Sequence, residues 1–263
     1  MRVVVPVTTL WVSPDRPRAV DAPAVADVPD HTAWLAALDR HPDDGVDGDG
    51  RLGLHGRTLT QAVAGEPVLL DDAPDAYRSA PRRASAGWVP VVLPWQPSSL
   101  DPRGYPGWLR RAHLIPDDTG GHGDGPEDDT WAARPGPDGR ADLAFARAHL
   151  GLGYLWGGTS PEGLDCSGLV HTVHRELGRL VPRDAHDQQA VCVPVPLEEV
   201  QPGDLYFFAR DGRPAHHVGM VTGPGRMIHA SEGRVVVEED LDDARRATLV
   251  AAGRMESGAP ARL

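Results

Sequence analysis

The hydrophobic pattern changes character partway along the chain. Over residues 1–115 the apolar positions fall in short runs, at 3–12, 59–64, 68–70, 88–93 and 108–114, with Gly, Pro and Asp between them. Runs of that length bounded by turn residues predict short strands, and strands at this spacing predict a small all-β barrel. A helical period shows only around residues 31–38, through Trp34, Leu35 and Leu38. The segment 42–50 is too polar and glycine-rich to pack and predicts an exposed loop. Its alternating Asp residues resemble a calcium loop, but the helical frame and the closing Glu are missing.

After the acidic, Gly- and Pro-rich stretch 116–139 the pattern becomes helical and then alternating. That stretch is the strongest composition break and predicts an interdomain linker, with Trp131 pointing to partial docking. Leu143, Ala146, His149 and Leu150 predict a helix over residues 141–152. Leu169, Val170, Val173 and Leu177 predict a second, starting at Cys166 and stopping near Gly178. Strands are predicted at 204–209, 216–222, 226–231 and 235–239, joined by Gly-Pro or Gly-Arg turns. Helices followed by an antiparallel sheet make an α+β domain, so the expected layout is 1–115, linker 116–139, and 140–263.

Charge removes several function classes. With a formal net charge of -12 no broad basic face forms, so nucleic acid and anionic membrane surfaces are not expected partners. The apolar run at the start is broken by Pro6, Thr8 and Thr9 before it reaches signal-peptide length, and no run approaches the roughly 18 apolar residues of a membrane span. With residue 1 as the start, a cytoplasmic protein is expected.

Candidate chemistry centres on residues 154–170, a glycine-rich loop that runs through Asp165, Cys166 and Ser167 into the second helix. A cysteine on the first helical turn meets the positive end of the helix dipole and unpaired backbone N–H groups, which predicts a lowered thiol pKa and a nucleophile. The chain has just one other cysteine, Cys192, too few for a disulfide scaffold, and a bridge would consume the nucleophile. Nothing like Cys-x-x-Cys occurs, so neither zinc nor another cofactor is expected.

Of 12 histidines, His217 and His229 stand out because each sits inside an apolar strand, 12 residues apart across a Gly-Pro-Gly turn that can set them side by side. One imidazole can take the thiol proton while the other orients it; two satisfied core histidines are the alternative. His216 should face the opposite side by alternation. His171 and His174, five and eight residues after Cys166, read as surface or interface residues.

Five motifs in order, residues 154–158, 165–170, 202–208, 217–221 and 228–230, resemble the NlpC/P60 cysteine peptidases, which have a papain-like fold and cut cell-wall peptides. The resemblance covers about residues 140–241. It implies Cys166 as nucleophile, His217 as general base, His229 as the orienting third member, and the Tyr154 hydroxyl beside the Cys166 N–H at the oxyanion. The amino-terminal part resembles a bacterial SH3 domain. Through residues 58–61, 65–66, 95–97 and 104–108 the whole chain is similar to gamma-D-glutamyl-L-diamino-acid endopeptidases of murein peptide recycling. In that group the barrel closes one end of the cleft and admits peptides with a free amino-terminal L-Ala, which implies that Glu66, Tyr105 and Asp184 meet the ammonium and that Asp165 and Ser167 contact the murein peptide. Each ammonium residue has a second reading: Glu66 in a turn, Tyr105 in barrel packing, Asp184 as a helix cap. The group often carries two SH3-like domains, and only one fits here. A wall hydrolase acting on intact peptidoglycan, and a wall-peptide binding module with an inert cysteine domain, are the competing functions.

Overall fold

The computed structural model describes residues 1–71, 87–117, 140–210 and 212–255, and their packing divides them into two units. One unit comprises described residues within 1–95, 100–117 and 155–163; the other comprises 96–99, 140–154, 164–210 and 212–255. Most of the stretch 116–139, including Trp131, lies outside the described residues.

In the first unit the short apolar runs become β1 (Arg2–Val3), β2 (Val7–Trp11), β3 (Thr58–Val63), β4 (Leu69–Leu70), β5 (Trp88–Leu93), β6 (Tyr105–Arg110) and β7 (Leu114–Ile115). β1 pairs with β7, and the other five form an antiparallel sheet in the order β3-β2-β6-β5-β4. Leu10, Val91, Leu93 and Leu109 are fully buried on it. The unit is not all-β. Between β2 and β3 the chain forms α1 (Ala22–Val25) and α2 (His31–Leu38), the latter over the residues whose period predicted it. Trp34 and Leu38 of α2 pack with Trp11, Trp88 and Trp108. The Trp34 indole N–H donates to the buried Asp21 carboxylate at 2.8 Å, and Arg18 neutralises that carboxylate at 2.9 Å. An aromatic cluster with a paired charge thus turns a polar-looking stretch into core.

The loop before the cysteine helix also belongs to this unit. Gly157 has φ +78, and a Cβ there would come within 3.2 Å of the Leu59 carbonyl oxygen, so glycine is required. Thr159 Oγ1 donates to the Gln61 carbonyl at 3.0 Å, and Ser160 Oγ donates to Gln61 Oε1 at 2.8 Å.

The second unit begins with α3 (Ala141–Ala148); after the small hairpin β8 (Thr159–Ser160) and β9 (Gly163–Leu164), which up to Gly163 belongs to the first unit, it continues with α4 (Cys166–Glu176) and α5 (Ala185–Val191). Then follow β10 (Val193–Val195), β11 (Leu205–Phe208), β12 (His217–Gly223), β13 (Arg226–Ala230), β14 (Val236–Asp240), α6 (Asp243–Thr248) and β15 (Leu249–Arg254). The sheet is antiparallel, in the order β10-β15-β11-β12-β13-β14, and α4 packs on β12 and β13. The pattern predicts neither β10 nor β15. β15 contains two Ala and a Gly, poor strand formers, and is a strand because β10 and β11 pair with both of its edges. Among the described residues no helix is long and apolar enough to cross a membrane.

His171 and His174 are not surface residues. They occupy the buried face of α4, 0% and 3% exposed, and His171 Nδ1 lies 2.9 Å from the Val181 carbonyl oxygen. Burial pushes His31 and His174 down to about 4 and His171 well below the usual imidazole value. The unfolded chain, titrating near pH ~6.5, therefore binds more protons than the folded one between about pH 4 and 6.5, and stability must rise with pH across that window. Accordingly, the Tm falls as pH is lowered from 7 to 5, with net proton uptake on unfolding measurable by calorimetry in buffers of different ionisation enthalpy. A flat Tm across that range would contradict the buried neutral histidines.

Candidate active site

The start of α4 is fixed by a buried hydrogen-bond network. Asp165 sits at the N-cap in extended conformation (φ -93, ψ 179), and its Oδ1 accepts the Gly168 N–H at 2.6 Å. Arg183, 1% exposed, donates to both Asp165 oxygens at 3.0 and 2.6 Å and to Ser167 Oγ at 2.9 Å. Gln188 Nε2 closes the network on the Ser167 and Pro182 carbonyls at 3.0 and 2.9 Å. The Asp165 carboxylate, expected at the substrate, is thus engaged as a cap and as half of a buried bidentate ion pair.

Cys166 follows as the first residue of α4, 6% exposed, with Sγ 3.9 Å from the His216 carbonyl oxygen. Here the expectation of a lowered thiol pKa is corrected. Burial pushes the thiol up to about 12, and the Asp165 charge adds to it; the backbone amides of Val218 and Ser167 and the Arg183 charge pull the other way without overcoming desolvation. A helix terminus lowers a thiol pKa only where the thiolate keeps enough solvation. At neutral pH Cys166 rests as the thiol. Cys192 is likewise a free, buried thiol.

The histidines meet across the sheet. Met220 pairs with Ile228, which sets Gly219 opposite His229 and makes His217 the diagonal neighbour of His229 on one sheet face. His217 Nε2 and His229 Nδ1 are 2.8 Å apart with the rings at 88°. A Cβ on Gly219 would overlap the Met227 Sδ and come within 3.3 Å of the His229 Cβ, so this glycine leaves room chiefly for the Met227 side chain. His216 is exposed and His217 buried, as alternation requires. Burial, then Arg245 and His229, hold His217 well below its usual pKa; burial likewise lowers His229. Both rings are neutral at pH 7.

Tyr154 is 7% exposed and anchored by its backbone N–H on the Arg234 carbonyl at 3.0 Å. Burial raises its phenol pKa, and the charges of Cys166 and Asp165 raise it further, so the hydroxyl stays protonated and able to donate. Asp184 is half-buried at the N-cap position of α5 but makes no side-chain cap bond there, so the capping alternative finds no support. Glu66 and Tyr105 belong to the other unit. Glu66 is fully buried with Oε2 accepting the Val63 N–H at 3.1 Å, and Tyr105 is part of an apolar core cluster. One group among the described residues has ligand atoms close enough for a metal, Asp184, His186 and Asp187, within 4.8 Å of one another. Asp187 there already accepts the Ser99 N–H through Oδ2 at 2.9 Å, and its Oδ1 lies 3.4 Å from His186 Nε2.

Two contributors escape the sequence reading. Arg183 stands one residue before Asp184, and its burial against Asp165 is a contact across 18 residues that no local pattern reveals. Glu239 Oε1 lies 3.1 Å from His229 Nε2. The signal for it was strand alternation: on β14 Glu239 pairs with Met227, two residues from His229 and on the same face.

A buried thiol at a helix start lies against the backbone of His216 and Val218 on β12, the strand that carries His217 of the neutral imidazole pair. With the Tyr154 phenol these are the groups that acyl transfer through a cysteine would need. Residues 151–253 match the NlpC/P60 family. The gamma-D-glutamyl-L-lysine dipeptidyl-peptidase of Bacillus subtilis is 30% identical, with 87% of this chain and 88% of that protein aligned. The protein of the same name from Bacillus cereus is 27% identical over 88% of this chain and 82% of its own. A crystal structure of an NlpC/P60 family protein from Bacillus cereus superposes with a TM-score of 0.79 at 25% identity, covering 96% of this chain and 98% of that one. The chain belongs to the NlpC/P60 family and is a peptidase.

Arg183 carries a testable consequence. Replacing it by Met leaves the Asp165 carboxylate buried without its ion-pair partner, which costs about 3–5 kcal/mol when one member of a buried pair is removed. Urea denaturation of Arg183→Met should show a loss of that size. A change below about 1 kcal/mol, the worth of an exposed pair, would place this ion pair outside the structural core.

Proposed function

We propose that this peptidase hydrolyses the gamma-D-glutamyl bond to an L-diamino acid in cell-wall peptides that begin with a free L-Ala, as in the murein tripeptide. The observation that carries the proposal is the extent of the likeness. The match to the dipeptidyl-peptidase of Bacillus subtilis runs over 87% of this chain and so takes in the amino-terminal unit as well as the cysteine unit. We read that amino-terminal sheet as the SH3-like domain of this group.

The chemistry follows from the resting state. Cys166 Sγ attacks the gamma-carbonyl carbon as its proton passes to His217, whose Nδ1 is the nitrogen left over once Nε2 is engaged by His229. The developing oxyanion takes hydrogen bonds from the Cys166 N–H, one of the amides at a helix start without an intrahelical acceptor, and from the Tyr154 hydroxyl. His217 returns the proton to the leaving amine, which gives a thioester, and then activates the water that hydrolyses it. Ser167 is assigned to the peptide and Asp184, Glu66 and Tyr105 to its ammonium by family likeness, and the names of the two relatives favour lysine at the third position.

Mass analysis of products from L-Ala-gamma-D-Glu-L-Lys and its diaminopimelate counterpart tests the reading. Cys166→Ala should lose about a thousandfold or more of the activity while retaining its unfolding transition. Acetylating the substrate's amino terminus should abolish cleavage; equal rates on free and acetylated or glycan-linked stems would show a wall hydrolase instead.

A further inference from the structure

The nucleophile, the base and its partner account for one end of a hydrogen-bonded line that continues across the sheet. His217 on β12, His229 on β13 and Glu239 on β14 are successive diagonal neighbours on one face. The two links measure 2.8 Å, His217 Nε2 to His229 Nδ1, and 3.1 Å, His229 Nε2 to Glu239 Oε1. The other carboxylate oxygen of Glu239 faces Arg234 Nη1 at 3.4 Å, so Oε1 remains for the imidazole.

Proton bookkeeping along this line has one solution. An ionised carboxylate only accepts, so the nitrogen of His229 that meets Glu239 carries the proton. His229 is neutral, because burial disfavours its charged form, and has one proton to place. Its Nδ1 is therefore a lone pair, and His217 must donate to it from Nε2. His217, also neutral, then presents the lone pair of Nδ1. With the His229 proton on Nδ1 instead, His217 Nε2 would have to accept and its proton would sit on Nδ1, where a base needs a lone pair.

We propose that Glu239 is a positioning residue that selects the tautomer of both histidines and so makes His217 Nδ1 basic. The proposal rests on Cys166 and His217 being nucleophile and base. Glu239 touches neither substrate nor thiol in this role; it acts through His229, as a carboxylate orients a histidine in other hydrolytic sites.

The test uses the full chain with ¹⁵N-labelled histidine. Wild-type spectra should show pyrrole-type signals for Nε2 of both His217 and His229. In Glu239→Ala the Nε2 preference of His229 should weaken, and kcat should fall about tenfold to a hundredfold at unchanged KM. Glu239→Gln, whose amide oxygen accepts the same N–H, should restore most of that loss. A wild-type proton on His229 Nδ1, a Glu239→Ala enzyme with wild-type kcat or with a change in KM alone, or a Gln variant as impaired as the Ala variant would each overturn the proposal. The wild-type spectrum decides even if Glu239→Ala does not fold. An inactive Cys166→Ala beside a normal Glu239→Ala would remove this inference alone, whereas an active Cys166→Ala would remove the reading beneath it.

Discussion

A buried guanidinium holds the first turn of α4, and the site depends on it. Arg183 satisfies both oxygens of Asp165, and Asp165 in turn caps the helix through the Gly168 N–H. A carboxylate at a helix N-terminus is favourable by dipole and hydrogen bonding, but a nearly buried one is costly without a cation. Arg183 offsets that cost with a planar fork that meets the carboxylate at two points, which a lysine could not reproduce. The arrangement sets the direction in which Cys166 leaves the helix, because the cap determines where the first turn begins.

The same burial decides the protonation state of the resting enzyme. Cys166 is pushed toward the thiol and His217 toward neutral imidazole by one cause, the removal of solvent from the charged forms. A neutral pair keeps no stored thiolate; the charge separates only as the carbonyl is attacked, when the oxyanion donors can stabilise it. Proton transfer is then coupled to bond formation, and the orientation of the accepting nitrogen carries much of the weight. That is why a line of side chains across three strands matters more here than the helix dipole does.

Much of this was legible in the chain. Period and turn residues marked α2, α4 and the strands β11 to β14, because each buries one continuous stripe or face and local spacing records that directly. Cys166, His217 and His229 were legible as chemistry because a thiol at a helix start and imidazoles inside apolar strands are costly without a use. The helical part of the amino-terminal unit was read only at residues 31–38, and its Trp34–Asp21–Arg18 core was not seen, since that core is made by contacts among separated residues.

By itself, the sequence determined which residues could react and which faces had to be buried, since residue type and spacing carry both. The tertiary structure alone decided how they react. Desolvation reversed the expected direction of the Cys166 pKa, a register between strands aligned His217, His229 and Glu239, and Arg183 reached Asp165 across 18 residues. Solvent exclusion and non-local pairing are properties of the packed chain, and no window of sequence contains them.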